Sequence, residues 1–305
     1  ALASHSIAAA SAPLREWSPP VTSVEAIGSP ESIHALHESG VLVVERALSG
    51  PARDALSELA LCTTTSPESE WASVLMHDGT PRRSLGARGN GDDARLRATV
   101  DTHCAKLREP LAALRAQIGE VTAQTARALD IESFATEALE HFHVFGGGED
   151  SADGEVAPRG LDRTAPVERA SHGDAAASQQ GAQLPHHVDR GFFLVMTPGA
   201  LVDIATGVAS PGSGLVTAAG ELPALADDAL VIVVGAAPRE WLRRGDAPAA
   251  PAHALSFALP EDGRTVRAWA GAMALAPAAL VAGDERTTFG EYFLGEGTRP
   301  NFAGV

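Results

Sequence analysis

Between residues 92 and 130, apolar side chains fall at Leu96, Val100, Cys104, Leu107, Leu111, Leu114, Ile118 and Val121, spaced by threes and fours. That is one face of an α-helix, and a single apolar stripe needs a sheet or another helix to lie on. Pro110 interrupts the stripe; it lacks a backbone N–H and predicts a kink or a split there. Upstream, Ser29-Pro30-Glu31-Ser32 places a capping serine before a proline at the first helical position, predicting a short helix to Glu38 that Gly40 ends. Val41-Leu42-Val43-Val44 then reads as a buried strand, and Ser49-Gly50-Pro51 opens a further helix to about Leu61. The polar stretch 63–90 reads as a long loop or short irregular pieces.

From Leu139 the period changes. Leu139-Glu140-His141-Phe142-His143-Val144-Phe145 alternates as a strand does, and Gly146-Gly147-Gly148 breaks it. Residues 149–183 carry almost no large apolar side chain, which predicts a disordered or loosely packed insertion. Strand-like runs follow at 188–196, 201–204, 215–218, 229–234, 254–259 and 265–275. Turn signals such as Thr197-Pro198-Gly199 and Pro260-Glu261-Asp262-Gly263 separate them. Short strands so spaced predict a β-barrel or sandwich. The organisation is therefore a flexible tail (1–20), a helical region with an opening strand that packs on the barrel (21–138), and a β-rich core (139–305). Phe289-Gly290-Glu291-Tyr292-Phe293-Leu294 reads as a short helix or lid whose aromatics, like Phe192, Phe193 and Trp241, join the core.

Composition narrows the function. The 305 residues carry a formal net charge of −16, which argues against nucleic acid and anionic membranes as partners. No run of about 18 apolar residues exists to span a bilayer. Cys62 and Cys104 are the two cysteines; as two thiols they fit a reducing compartment, and an intracellular, cytoplasmic location follows by default. Residues 1–20, rich in Ala, Ser and Pro, also fit the remnant of a transit peptide, which would make the location organellar.

The chemistry concentrates at His187-Val188-Asp189, at the head of an apolar run. On a strand, residues two apart share a face, so an imidazole and a carboxylate would aim at one point. Those are two ligands of a 2-His-1-carboxylate facial triad. Such a pair alone is common by chance, and His172-Gly173-Asp174 is a second instance, but that one lies in the low-complexity insertion with no strand to hold it. After His187 the sequence has a single further histidine, His253, so a triad must be completed there.

These residues stand in an order that resembles the Fe(II)/2-oxoglutarate-dependent dioxygenases, and in particular the branch of isopenicillin N synthase. His187-Val188-Asp189 is followed by Gly214-Leu215-Val216, by the strand Ala229-Leu230-Val231-Ile232-Val233-Val234-Gly235, by Trp241, by His253, and by Arg264 or Arg267. The resemblance implies an α+β fold: a distorted double-stranded β-helix (jelly roll) with N-terminal support helices, here the 92–130 helix. It implies Fe(II) on His187, Asp189 and His253, with 2-oxoglutarate and O2 as co-substrates. A C–H bond of the substrate, for which a small molecule is the favoured class, would be oxidised with release of succinate and CO2; hydroxylation is the favoured outcome, with desaturation and ring closure left open. An arginine would hold the distal carboxylate of 2-oxoglutarate; alternation puts Arg264 and Arg267 on opposite faces, and the approach to Pro277 favours Arg267. The family's Arg-x-Ser is absent, since Val266 and Trp269 stand two residues after the two arginines. His141 and His143, sharing one face of their strand, are the candidates to supply that second hydrogen bond. Three other readings stay open: a non-haem iron oxidase that does not use 2-oxoglutarate, a non-catalytic jelly-roll binding protein, and a cupin-like Mn or Ni site. Substrate identity and oligomeric state are not written in these motifs.

Overall fold

The computed structural model describes residues 17–67, 70–76, 78–88, 94–147, 184–282 and 287–294. The expected insertion at 149–183, His172-Gly173-Asp174 within it and most of the tail at 1–20 lie outside these residues.

Local sequence sets the first elements as expected. Helix α1 (Pro30–Ser39) starts where Ser29 accepts a hydrogen bond from the Ser32 amide. It ends at Gly40, whose φ of +69° is open to glycine and whose N–H donates to Leu36. A 3-10 turn (Gly50–Asp54) precedes α2 (Ala55–Thr65). The 92–130 stripe forms two helices, α3 (Ala94–His103) and α4 (Arg108–Ala128), joined by a 3-10 turn at Ala105–Leu107. The break falls at Cys104, before Pro110. Pro110 sits in the first turn of α4, where an amide would have no intrahelical acceptor, so its missing N–H costs nothing there. Cys104 is disulfide-bonded to Cys62 of α2. This corrects the expectation of two free thiols: one pair suffices for a bridge when two helices bring it together. Helix α5 (Ala237–Glu240) and α6 (Phe289–Leu294) are short.

The strands are β1 (Val21–Ser23), β2 (Val41–Glu45), β3 (Ala72–Leu75), β4 (Pro81–Arg88), β5 (Glu137–Phe145), β6 (Leu184–His187) and β7 (Phe193–Met196). They continue as β8 (Ala200–Asp203), β9 (Ala209–Pro211), β10 (Leu215–Thr217), β11 (Gly220–Glu221), β12 (Leu230–Val234), β13 (His253–Leu255) and β14 (Thr265–Leu275). Among the described residues they form two sheets. The large sheet runs β1-β2-β12-β7-β14-β5-β4-β3, with β9 and β8 joined beside β14, and the small one runs β11-β10-β13-β6. All pairings are antiparallel except β1 with β2. β1 to β4, from the helical N-terminal region, belong to the same sheet as the β-rich core, so hydrogen bonds cross the boundary near residue 138.

Three strand expectations need correction. The 63–90 stretch holds the hairpin β3–β4 rather than a loop. Its inward residues on β4 are Arg82, Ser84 and Gly86, so no apolar alternation marks it. The 188–196 run is not one strand: β6 ends at His187 and β7 begins at Phe193, with a bend between. The 254–259 run pairs over His253–Leu255 alone.

β14 divides its faces cleanly. Val266, Ala268, Ala270, Ala272 and Ala274 are buried on one face, against which α2 and α4 pack. Their small side chains let the helices come close. Arg267, Trp269 and Met273 point the other way, into a cavity between the two sheets. Phe192, Phe193, Trp241 and Phe289 are buried core residues, as expected. No helix among the described residues is long and apolar enough to cross a membrane.

Candidate metal centre and its cavity

His187 closes β6 and His253 opens β13, and the two are direct partners across that antiparallel pair. Cross-strand partners have Cβ atoms about 5 Å apart, and the imidazole centroids lie 4.4 Å from each other. Asp189 reaches the same point from the bend that follows β6. Its carboxylate oxygens lie 3.7 Å from His187 Nε2 and 3.6 Å from His253 Nε2. One donor atom from each residue falls within 4.8 Å of the others.

The placement of Asp189 does not come from strand alternation, as the sequence suggested, but from how the bend docks. The Asp189 carbonyl accepts from the Ala236 amide at 2.8 Å, and the Gly191 carbonyl accepts from Ala237 at 3.1 Å. Gly235 permits this approach: a Cβ there would stand 2.2 Å from the Gly191 oxygen and 3.0 Å from the Asp189 oxygen.

Hydrogen bonding fixes the role of Nδ1 in both rings. His187 Nδ1 lies 3.0 Å from the Pro185 carbonyl and His253 Nδ1 3.2 Å from the Pro251 carbonyl. A carbonyl can only accept, so each Nδ1 carries a proton, and the neutral form of each ring keeps its lone pair on Nε2. Burial lowers the pKa of His253 in spite of the nearby Asp189 carboxylate, which favours that neutral form. Asp189 Oδ2 is buried without a hydrogen-bond partner. With both rings neutral, three acceptors face one point, an arrangement that a cation satisfies. The same Pro-x-His pattern precedes both rings, at Pro185-His186-His187 and Pro251-Ala252-His253, a signal in the sequence that the spacing argument passed over.

The cavity beside this cluster has a volume of about 360 Å³. Its large-sheet wall is a grid set by register. Arg82, Phe145 and Arg267 form one row across β4, β5 and β14; Ser84, His143 and Trp269 form the next; His141 lies between Gly86 and Gly271 in the third. Arg267 is 2% exposed. Its Nε donates to the Ser213 carbonyl at 3.3 Å and its guanidinium lies over Phe257, while Nη1 has no partner. Burial pulls its pKa down to about 10, so it stays charged at neutral pH. A buried charge with an unmet donor is costly unless an anion completes it. Arg264, the other arginine candidate, is exposed and does not line the cavity; the Asp262–Gly263 turn leaves it at the strand's outer end.

His141 and His143 are both buried and both line the cavity. His143 Nδ1 pairs with the Ser84 hydroxyl at 2.7 Å, whereas His141 Nε2 and Trp269 Nε1 are buried without partners. Burial pushes the His141 pKa down to about 4 and His143 well below its ordinary value, so both rings are neutral. Sequence reasoning misses Arg82 and Ser84 because β4 reads as a loop. It also misses Gly199, against which the Arg267 guanidinium packs and which carries no side chain to notice.

No protein-family model matches the chain, and no curated protein matches it. Solved structures do. A full-length Neurospora crassa protein in complex with alpha-KG and thymine aligns over 90% of this chain and 94% of its own, with a TM-score of 0.52 at 10% identity. The same protein with alpha-KG alone aligns over 89% and 90%, with a TM-score of 0.51 at 10% identity. The chain shares the overall fold of this Neurospora crassa protein. JOX2 in complex with 2OG, Fe and JA also matches, with a TM-score of 0.47 at 12% identity over 92% of this chain and 85% of that one. The finer likeness to the isopenicillin N synthase branch rests on the sequence motifs alone.

Proposed function

We propose that this chain is an Fe(II)- and 2-oxoglutarate-dependent oxygenase on a distorted double-stranded β-helix, oxidising a C–H bond of a small molecule with release of succinate and CO2. The observation that carries this reading is the meeting of one ligand atom each from His187, Asp189 and His253 within 4.8 Å, with both Nε2 atoms turned to the Asp189 carboxylate. Two imidazoles and one carboxylate are the donor set of a facial triad and leave one side of the metal open. His187, Asp189 and His253 would hold the iron, with Asp189 offsetting one of its charges. Iron and 2-oxoglutarate together would supply the activation of O2.

The chain's own residues do the rest. Arg267, with its unmet Nη1, would take the distal carboxylate of 2-oxoglutarate; a guanidinium fork fits a carboxylate in two places. Neutral His141 and the Trp269 indole offer hydrogen bonds on the same wall, in place of the absent serine. Leu194, Met196, Leu215, Leu255 and Met273 keep the cavity dry, and Phe293 of α6 borders it. The presence of alpha-KG in the Neurospora crassa protein, on the same fold, supports the co-substrate.

The test is to reconstitute the protein with Fe(II) and follow O2 uptake and succinate release together over a panel of small molecules. Matched O2 and succinate is the expected result. O2 uptake without succinate would mean an oxidase of another kind, and neither would mean a binding protein.

A further inference from the structure

One row of the cavity wall holds a single polar side chain between glycines. His141 on β5 pairs with Gly86 of β4 on one side and with Gly271 of β14 on the other, and Gly271 pairs with Met196 of β7. The imidazole therefore has no side chain beside it on either neighbouring strand. It is 7% exposed, and its Nε2 is buried without a hydrogen-bond partner among the described residues. The next row is apolar across β7, β14 and β5, through Leu194, Met273 and Leu139. A buried nitrogen left unpaired in such surroundings is costly until a ligand completes it.

Register also separates His141 from the co-substrate arginine. Gly271 follows Arg267 by four residues on β14, which at about 3.4 Å per residue puts the two rows roughly 13 Å apart along the strand. The Arg267 guanidinium packs on Gly199, between β7 and β8, and these strands flank β14 on the side opposite β5. A carboxylate held there lies next to the Trp269 row, whose indole N–H is also unmet, and two rows from His141. Of the two groups offered in place of the missing serine, register thus assigns that place to Trp269. His141 stands at the metal end: the Asp189 carboxylate acts on its charge, whereas Arg267 acts on that of His143.

We propose that His141 selects the molecule oxidised in this cavity, a neutral compound with an apolar carbon body and one hydroxyl or amide group that hydrogen-bonds to its Nε2. This rests on the function proposed above, in which Arg267 is committed to 2-oxoglutarate. A ring nitrogen donates or accepts according to which nitrogen carries the proton, and hydroxyls and amides answer either role. Burial holds the ring neutral, with a pKa of about 4, so it does not offset a charged group. No charged side chain stands in its row. The charges of a divalent metal, Asp189, dianionic 2-oxoglutarate and Arg267 cancel one another. Arg190 is held by the Tyr292 carbonyl and ring, and Arg82 is engaged within the protein. A charged substrate group beside His141 would be buried without a partner, which costs more than burying a neutral one that is hydrogen-bonded. The volume of about 360 Å³, shared with the co-substrate, keeps the substrate small.

The experiment uses protein loaded with Mn(II) in place of iron, with 2-oxoglutarate and without O2, and reads binding by calorimetry. The probes are two pairs of closely similar shape, phenol with toluene and benzamide with benzoate. The wild type is expected to bind benzamide at least about 10-fold more tightly than benzoate. His141→Leu and His141→Phe each shift the ratio of phenol to toluene affinity toward toluene by roughly 3- to 10-fold. His141→Gln, which keeps a hydrogen-bonding group, restores part of it. All three variants keep the wild-type affinities for Mn(II) and 2-oxoglutarate, measured separately, which shows that the fold and the co-substrate site are intact. His141→Phe, closer in shape to the imidazole, decides the matter where His141→Leu does not fold. Benzoate bound as tightly as benzamide, no binding of phenol or benzamide, or an unchanged phenol-to-toluene ratio in a folded variant overturns the proposal. Loss of 2-oxoglutarate binding in those variants also overturns it, by assigning His141 to the co-substrate. If the wild type binds neither Mn(II) nor 2-oxoglutarate, the oxygenase reading itself fails, and this inference fails with it.

Discussion

Gly199→Ala tests the role of Arg267 without touching it. The Arg267 guanidinium lies flat on Gly199: a Cβ added there would stand 2.3 Å from Nη2, 2.4 Å from Cζ and 2.5 Å from Nε. Non-bonded heavy atoms rest at about 3.5 Å or more, so the group must retreat by ~1 Å. It is the far end of a flexible side chain with a cavity beside it, and it can move while β14 stays in place. Gly199 is not among the glycines with positive φ, so alanine suits its backbone. Stability should therefore change little. The guanidinium, however, loses its 3.3 Å bond to the Ser213 carbonyl and its aim. A misaligned hydrogen bond to a charged group costs about 1.5–3 kcal/mol, which is roughly 10- to 100-fold in affinity. Calorimetric titration of 2-oxoglutarate into Mn(II)-loaded protein reads that loss. Mn(II) affinity and melting temperature serve as controls and should match the wild type. A folded Gly199→Ala variant that binds 2-oxoglutarate as tightly as the wild type would refute the assignment of Arg267.

Two further predictions follow from the same geometry. Gly235→Ala places a Cβ 2.2 Å from the Gly191 carbonyl oxygen, a backbone atom that cannot swing aside; it should destabilise the fold by about 1–3 kcal/mol and weaken metal binding through Asp189, and unchanged metal affinity would show that the bend does not position the carboxylate. The metal-free protein should lose stability in mild acid, because His141 has a pKa of about 4 when folded and an ordinary value of 6.5. Above pH 6.5 it is neutral in both states; below that the unfolded chain takes the proton first, so stability falls as pH drops toward 4. From about pH 7 to 5 this amounts to about 2 kcal/mol, measurable by urea unfolding as a shallower pH dependence in His141→Asn, and an equal slope in the two proteins would contradict it.

The legible parts of this chain are those where one physical requirement dominates. β14 is legible with its bounds intact because one of its faces must be small and apolar for α2 and α4, and the stripe of α4 is plain because a helix on a sheet needs one. β4 escapes sequence reasoning because its inward residues are Arg82, Ser84 and Gly86, so the apolar alternation that reveals a strand is missing there. The metal ligands are legible as residue types, since one distal histidine is available, but not as geometry. His187 and His253 meet because β6 and β13 pair in register, and Asp189 joins them because the bend at 188–192 docks on the start of α5; neither is local. The disulfide is unreadable for the same reason, since Cys62 and Cys104 meet only once two helices are packed.

The central claim is that His187, Asp189 and His253 are metal ligands, and an anaerobic Fe(II) titration tests it most directly. The account predicts one Fe(II) per chain in the wild type, with binding lost or weakened by at least about tenfold in Asp189→Ala and in His253→Ala while both variants stay folded. No binding by the wild type, or binding by both variants as tight as by the wild type, would contradict it.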